Sequence, residues 1–298
     1  MPTEPPARYQ SPDEDSARWI EFPFRPGDVV VSTRSKSGTT WMQMICALLV
    51  FQTPEFPEPL SVLSPWLDWL ITPQEEVYER LSAQRHRRII KTHTPLDGIV
   101  LDRGATYIVV ARDPLDMAVS LYHHSTNLDR ERVRQLTGRP ADSADAPLPP
   151  LHEWLRSWIE WDGSPTERMD SLPGVMWHLS DAWARRHQPN VVLVHYDDLS
   201  CDLEGEMRRL ADRLGIVVEE ESWGGLVHEA RFVQMQARAD QLLPDPQGVL
   251  KDRSQFFRRG ASGEGREVLS VEEVRLYRSR VHHMGPPDLV EWLHHGDG

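Results

Sequence analysis

Short runs of β-branched residues alternate along this chain with longer stretches whose apolar positions recur every three or four residues. Asp28-Val29-Val30-Val31-Ser32 predicts a buried strand, followed at once by the turn-type cluster Thr33 to Gly38. A helix is predicted from Thr39 to Phe51, with Trp41, Met44, Ile45, Leu48 and Leu49 on one face. The pattern recurs. Arg88 to Lys91 predicts a strand ending at Thr92-His93-Thr94-Pro95. Ala105 to Ala111 predicts another, ending at Arg112-Asp113-Pro114, with a helix from Leu115 to Asn127 behind it. Val191 to His195 predicts a further strand, then Tyr196-Asp197-Asp198 and a helix from Leu203 to Leu214 stopped by Gly215. Strands alternating with helices imply an α/β fold, a single domain with a central, mostly parallel sheet flanked by helices. Residues 18–298 are assigned to that domain. Residues 1–17, polar, acidic and rich in proline, read as a flexible arm.

Three stretches break the rhythm: Gln52 to Thr72, Asn127 to Pro150, and Gln236 to Ser254. Loops of this length in a compact domain are usually functional lids or disordered segments. Open α/β sheets bind ligands beyond the carboxyl ends of their strands. Lys36, His93, Arg112 and Tyr196 all fall just after predicted strands, so one crevice can hold all four.

Composition narrows the partners. The chain has 46 Asp and Glu against 33 Lys and Arg, a formal net charge of −13, and no basic block. Nucleic acid is therefore not an expected partner. A small anion still is, because the local field of a site matters more than net charge. Cys46 lies in an apolar helical run and Cys201 in a polar turn, without the spacing of a zinc site or a disulfide framework. That suits a reducing cytoplasm, the expected location. The N-terminus lacks the apolar core of a signal peptide. The longest apolar run, Met44 to Phe51, is too short to span a bilayer, so no transmembrane segment is expected.

The sharpest chemical signal is Ser35-Lys36-Ser37-Gly38-Thr39-Thr40-Trp41. A glycine-containing loop entering a helix turns backbone N–H groups toward an anion, and the helix dipole adds positive potential. Lys36 adds a full charge and the hydroxyls add donors. This is not the Walker A pattern, because the lysine precedes the only glycine. Without a ligand the same residues read as a helix start capped by Ser37 or Thr39.

Lys36 through Trp41 resembles the phosphosulfate-binding loop of cytosolic-type sulfotransferases, [TY]-Y-P-K-S-G-T-T-W, with Arg34-Ser35 in place of Tyr-Pro. Arg112-Asp113-Pro114 followed by Ser120 resembles that family's 3′-phosphate element. Arg258-Arg259-Gly260-Ala261-Ser262-Gly263 resembles its C-terminal R-K-G-x-x-G-x-W segment, with Arg259 at the lysine and Gly265 at the tryptophan. The three elements keep the family's order and span Gly27 to Gly265. Ser64 to Asp68, Lys91 to Gly98 and Phe256 to Gly260 are similar to an actinobacterial branch that includes mycobacterial glycolipid sulfotransferases.

The resemblance implies a P-loop-like nucleotide site and an enzyme, a PAPS-dependent sulfotransferase. It would move a sulfuryl group from 3′-phosphoadenosine 5′-phosphosulfate (PAPS) to a hydroxyl of a small acceptor, release PAP and need no metal. It implies that Lys36, Ser37, Gly38, Thr39 and Thr40 hold the 5′-phosphosulfate. Arg112, Ser120, Arg258, Arg259 and Gly260 would hold the 3′-phosphate. Trp41 and Phe232 would sandwich the adenine, with Tyr196 at its edge. Read without the family, Trp41 and Phe232 are also core residues, Tyr196 a turn anchor and Ser120 a solvated helix serine. The family's general base is the histidine of the K-T-H segment, here His93, whose ordinary pKa of about 6.5 suits the task. Lys36 would stabilise the leaving phosphate and Lys91 would touch the sulfuryl oxygens. His123, His124, His282, His283, His294 and His295 sit in polar helical or terminal contexts and are assigned no role.

A hydrophobic acceptor is expected from Trp66, Leu67, Trp69, Leu70, Trp154, Trp158, Trp161, Met169 and Trp177, although the helical spacing of Trp154, Trp158 and Trp161 also fits core packing. Glycolipid, phenol, hydroxylated polyketide and sterol all remain open. Two rivals stand beside this reading. A P-loop nucleotide phosphotransferase would need Mg²⁺ and ATP, and a non-catalytic PAP-binding protein would bind without turnover. The family's dimer segment, K-x-x-x-T-V-x-x-x-E, aligns on Arg266 to Arg275 with only Val271 identical, so that dimer mode is expected to be weak or absent.

Overall fold

The computed structural model describes residues 5–138, 147–243, 245 and 247–294. Four strands form one sheet: β1 (Val29–Ser32), β2 (Ile89–Thr92), β3 (Thr106–Ala111) and β4 (Val191–His195). Their order is β2-β1-β3-β4 and every pairing is parallel. Val31 lies between Lys91 and Ile108, and Ala111 opposite His195, so all four strands end on one edge.

The β-branched runs are buried on both faces, as a sheet sandwiched between helices requires. Val30, Ile90, Tyr107 and Val109 point into one core layer, with the Pro114–Asn127, Leu151–Glu160 and Leu172–Ala184 helices. Val29, Val31, Ile108 and Val110 point into the other, with the Thr39–Phe51, Leu203–Leu214 and Glu220–Ala230 helices. The predicted helices at 39–51 and 203–214 have those bounds. The third begins one residue earlier, at Pro114, with Asp113 accepting from the Leu115 N–H (2.7 Å). At the amino end of the sheet Arg88 donates to Asp28 (2.8 Å) in a fully buried pair, far from the carboxyl edge.

Three expectations need correction. Tyr196 to Asp198 is not a turn but the start of a short helix, Tyr196–Cys201. The long stretches contain helices of their own, Leu60–Leu63, Arg130–Thr137 and Ala239–Leu242, although residues 139–146, 244 and 246 lie outside the described residues. The supposed N-terminal arm is docked from Ala7 onward, residues 1–4 lying outside the described residues. Ala7 N–H donates to the Asp97 carbonyl (2.9 Å). Buried Tyr9 donates to the Asp97 carboxylate (2.9 Å) and accepts from Trp177 Nε1 (2.7 Å). Farther on, Asp15 N–H donates to the Asp68 carbonyl and Leu70 N–H to the Asp13 carbonyl (2.9 and 2.8 Å). Composition hid this because the anchoring is by backbone and one aromatic ring.

Candidate active site

A cavity of about 380 Å³ opens at the carboxyl edge of the sheet. The chain leaves β1 on one side of the sheet's midline for β2 and returns to β3 on the other. That is the switch point where such sheets bind ligands. Lys36, Gly38, Thr39, Thr40, Trp41, Lys91, His93, Arg112, Ser120, Tyr196, Phe232, Arg258, Arg259 and Gly260 all line this cavity. Ser37 does not: it is buried beneath the loop, its N–H donating to the Arg34 carbonyl (3.2 Å).

The loop after β1 is bent by two left-handed residues, Lys36 (φ 65°) and Gly38 (φ 104°). At Gly38 a side chain would be strained and its Cβ would lie 3.1 Å from the Tyr196 ring. Gly38 is also the helix N-cap, and no side chain caps the Thr39–Phe51 helix. Ser37 and Thr39 therefore do not play the capping role considered from sequence; Thr39 is instead hydrogen-bonded to Thr33 across the loop. The first N–H groups of this helix are left for an anion.

Cations converge on this opening. Lys36 Nζ lies 4.2 Å from the centre of the Phe256 ring, and Lys91 Nζ 3.7 Å from that of Trp66. Arg112 stacks over Tyr196 (4.3 Å) and donates to the Ala261 carbonyl (2.9 Å). Among the described residues no carboxylate pairs with it. Burial, then the charges of Arg112, Lys91 and Arg258, bring the Lys36 pKa down to about 7, and burial brings Lys91 to about 8. Such a cluster is costly unless an anion joins it. Arg258 is held by Glu264, and Arg259 lies 3.5 Å from the same carboxylate.

His93 closes the other end. Its Nδ1 is hydrogen-bonded to the Thr33 carbonyl. A carbonyl only accepts, so Nδ1 carries the proton and Nε2 keeps its lone pair. Burial, then Lys91 and Arg34, hold its pKa well below 6.5, lower than the ordinary value assumed from sequence, so the ring is neutral at neutral pH. Arg34 donates to the His93 carbonyl, and through two nitrogens to one Asp170 oxygen (2.7 and 3.2 Å). Burial raises Asp170, but Arg34 outweighs it and the pKa is lowered. The residue that departs from the family loop thus braces the histidine.

The C-terminal segment is shaped by glycine. Gly260 has φ 62°, and a Cβ there would lie 2.5 Å from the Phe232 ring. Gly265, at the family's tryptophan position, is packed so closely on Leu115 that its Cβ would lie 2.5 Å away. Asp116 accepts from Gly263 and Gly265 N–H (2.6 and 2.8 Å), pinning the segment to the Pro114–Asn127 helix. No tryptophan fits there; Phe256 and Phe257 supply aromatic walls instead.

All three long stretches reach the cavity, through Trp66, Trp69 and Ile71, Leu128 and Val133, and Val249 and Leu250. Asp129 N–H donates to the Val249 carbonyl and Lys251 N–H to the Asn127 carbonyl (both 2.8 Å), zipping the second stretch to the third. Of the other apolar candidates, Leu67, Trp154 and Trp158 pack in the core, and Trp177 stands at the surface beside Tyr9. Sequence reasoning missed Glu14, Asp170, His123 and His124, which all line the cavity. His124 is pushed down to about 3 by burial, then by Lys36 and Lys91. A histidine facing the core side of a helix next to Ser120 was the available signal.

A strand-end cation loop beside a neutral histidine is an arrangement that suits group transfer from an anionic donor. The family model for the sulfotransferase domain matches residues 26–289. The chain therefore belongs to the sulfotransferase family, whose reaction is PAPS-dependent transfer, and it is a sulfotransferase. A glycolipid sulfotransferase of Mycobacterium bovis is 41% identical, covering 97% of this chain and 94% of the relative. One of Mycobacterium tuberculosis is 40% identical over the same shares. The human sulfotransferase 2B1 is more distant, 26% identical over 87% of this chain and 67% of that one. Among solved structures, a mouse sulfotransferase complexed with PAP superposes with a TM-score of 0.70 at 18% identity, covering 94% of this chain and 92% of that one. Retinol dehydratase in a complex with retinol and PAP gives 0.69 at 23%, covering 90% and 84%. These two likenesses concern the fold.

Proposed function

We propose that this sulfotransferase uses PAPS as donor and sulfates a hydroxyl of a hydrophobic, glycolipid-like acceptor, with His93 as general base. The observation that carries the reading is the convergence of Lys36, Lys91, Arg112 and Arg258 on an uncapped helix start, with the free Nε2 of His93 in the same cavity. PAPS, as the donor substrate, supplies the sulfuryl group and leaves as PAP. The loop N–H groups, Thr39, Thr40 and Lys36 bind its 5′ end. Arg112, Ser120, Arg258, Arg259 and Gly260 bind the 3′-phosphate, and Trp41, Phe232 and Tyr196 bind the base. Arg258 must exchange Glu264 for that phosphate. His93 takes the acceptor proton at Nε2 as the acceptor oxygen forms its bond to sulfur. Lys36 holds the phosphate oxygen whose bond to sulfur breaks, and Lys91 faces the sulfuryl oxygens. Positioning and charge supply most of the acceleration, as in phosphoryl transfer. Support for a lipid-like acceptor comes from the apolar wall of Ile71, Leu128, Val133, Val249 and Leu250 and from the mycobacterial relatives.

PAP is expected to raise thermal stability, by about 2.7 kcal/mol at a hundred times its dissociation constant. Arg112→Ala is expected to lose most of that gain. A variant that responds to PAP like the wild type would remove Arg112 from the site. Turnover of PAPS without Mg²⁺, and none of ATP with it, separates this reading from a phosphotransferase. Tight PAP binding with no turnover of any acceptor would leave the binding protein.

A further inference from the structure

Glu14 sits in the cavity wall at the end nearest the reacting groups and is used by nothing in the mechanism above. Its side chain is almost wholly buried, the residue being 8% exposed, and Oε2 has no hydrogen-bond partner among the described residues. The fold does not need the carboxyl. What holds the segment is backbone: Glu14 is bridged to Trp69 in antiparallel fashion, and its N–H donates to Ser11 Oγ (3.1 Å). An apolar side chain would serve packing better, since an unpartnered buried carboxyl is a cost. The groups around it identify its place. Arg34, Asp68, Asp170 and Lys91 are the charges it feels most, which puts it beside the histidine and not at the nucleotide end. Burial raises its pKa to about 8, so at neutral pH it is a carboxylic acid able both to donate and to accept, as a hydroxyl partner requires.

The same wall carries flat aromatic surface. Trp66 and Trp69 stack with centroids 5.1 Å apart and planes at 9°, and Trp66 meets His93 edge-on at 4.6 Å. Trp69 covers one face of Trp66 and Lys91 Nζ the other (3.7 Å), so the ring this stack can offer a ligand is Trp69, the residue bridged to Glu14. A sugar ring presents an apolar C–H face suited to such a ring, and hydroxyls at its rim suited to a carboxyl beside it.

We propose that Glu14 is a specificity-determining residue that hydrogen-bonds an acceptor hydroxyl neighbouring the one sulfated, with the Trp69 ring, backed by Trp66, as platform, so that the enzyme selects sugar-bearing acceptors over simple alcohols and phenols. The proposal rests on the reading of the chain as a PAPS sulfotransferase with a lipid-like acceptor.

The test compares PAPS-dependent sulfation of octyl β-glucoside, 1-octanol and 2-naphthol by the wild type, Glu14→Leu and Glu14→Gln. Wild type is expected to prefer the glucoside to octanol by at least about tenfold in kcat/KM. Glu14→Leu should lose about 10–10²-fold on the glucoside while staying within about threefold on 2-naphthol. Glu14→Gln, which keeps a donor and an acceptor, should recover most of the glucoside rate. Removing an unpaired buried carboxyl should leave the melting temperature equal or higher, and PAP binding reports the folded fraction of each variant. Equal changes on glucoside and naphthol, no recovery in Glu14→Gln, or a wild type indifferent to the sugar would each overturn the assignment. Turnover of naphthol alone would leave the donor reading intact and sink only the sugar claim. No turnover of any acceptor would sink both.

Discussion

In the proposed mechanism His93 is the residue on which the chemistry turns, and its surroundings say what losing it should do. Nδ1 is bound to Thr33 and the ring bears no assigned phosphate contact, so His93→Ala removes proton acceptance and leaves the nucleotide pocket standing. Turnover is expected to fall about 10²–10⁴-fold, with PAP affinity little changed. The loss should be larger for an aliphatic alcohol than for a phenol, which ionises more readily. A well-folded His93→Ala protein that sulfates aliphatic alcohols at near the wild-type rate would end the general-base assignment. If the histidine only braces the strand end, activity would instead track the folded fraction, so turnover, PAP binding and melting temperature belong on one preparation. This residue was legible because a K-T-H run closes a β-branched strand. Glu14 was not, because Asp13-Glu14-Asp15 reads as a solvated acidic run and its burial is created by Trp69, 55 residues away. The low pKa of His93 was equally invisible, being set first by burial, which the fold creates, and only then by Lys91 and by Arg34 from the loop after β1.

At the scale of elements, the strands and the helices behind them were readable from local pattern, since each strand is buried on both faces and needs only a short β-branched run. The short helices in the long stretches were not, for four-residue segments such as Leu60–Leu63 carry too little periodicity. The loop from Ser35 to Thr40 was legible as a candidate anion site, but its electrostatics are a property of four elements meeting. Arg112, Lys91 and Arg258 come from three other places in the chain, and after burial they are what lowers Lys36 to about 7. The consequence is a proton linkage. A bound phosphate adds negative charge beside Lys36 and raises its pKa, so PAP binding above pH 7 must take up protons. At pH 8 the free lysine is mostly neutral and the bound one charged, and uptake should approach one proton, with Lys91 adding a fraction. At pH 6 Lys36 is charged in both states and contributes none. PAP affinity therefore falls as pH rises from about 7 toward the bound-state pKa. Calorimetry at pH 8 in HEPES and in Tris, whose ionisation enthalpies differ, measures the uptake, and Lys36→Met should lose most of it. Identical heats in the two buffers for the wild type would show that Lys36 is already charged in the free protein.

For the whole molecule, the three-layer architecture follows from the alternation of strands and helices, whereas its closure by the N-terminal segment does not. That closure places Glu14 in the cavity wall, and no local composition announces it. Among the described residues no helix is long and apolar enough to cross a membrane. Association can be argued from the segment Arg266 to Arg275, which aligns on the family's dimer motif. An isologous contact brings each residue of the patch near its own copy or that of a neighbour. Here Ser270 starts the Val271–Met284 helix through a capping box with Glu273, and Val271, 62% exposed, is the apolar residue that the motif retains. Arg266 is already paired with Asp113 of its own chain (2.9 Å). Arg275 stands where the motif has glutamate, so the lysine and glutamate positions are both arginine and opposite charges no longer meet. Like charges facing each other across a small contact oppose it, and one exposed valine contributes far less apolar burial than a stable interface contains. A dimer through this segment is therefore expected to be weak or absent, so that Val271→Glu should leave the mass seen by light scattering at micromolar concentration unchanged. Arg275→Glu, which restores the opposite charge, should shift the protein measurably toward twice that mass at high concentration and low salt, where surface charges are least screened. A tight wild-type dimer that Val271→Glu dissolves would show that the segment pairs despite its charges.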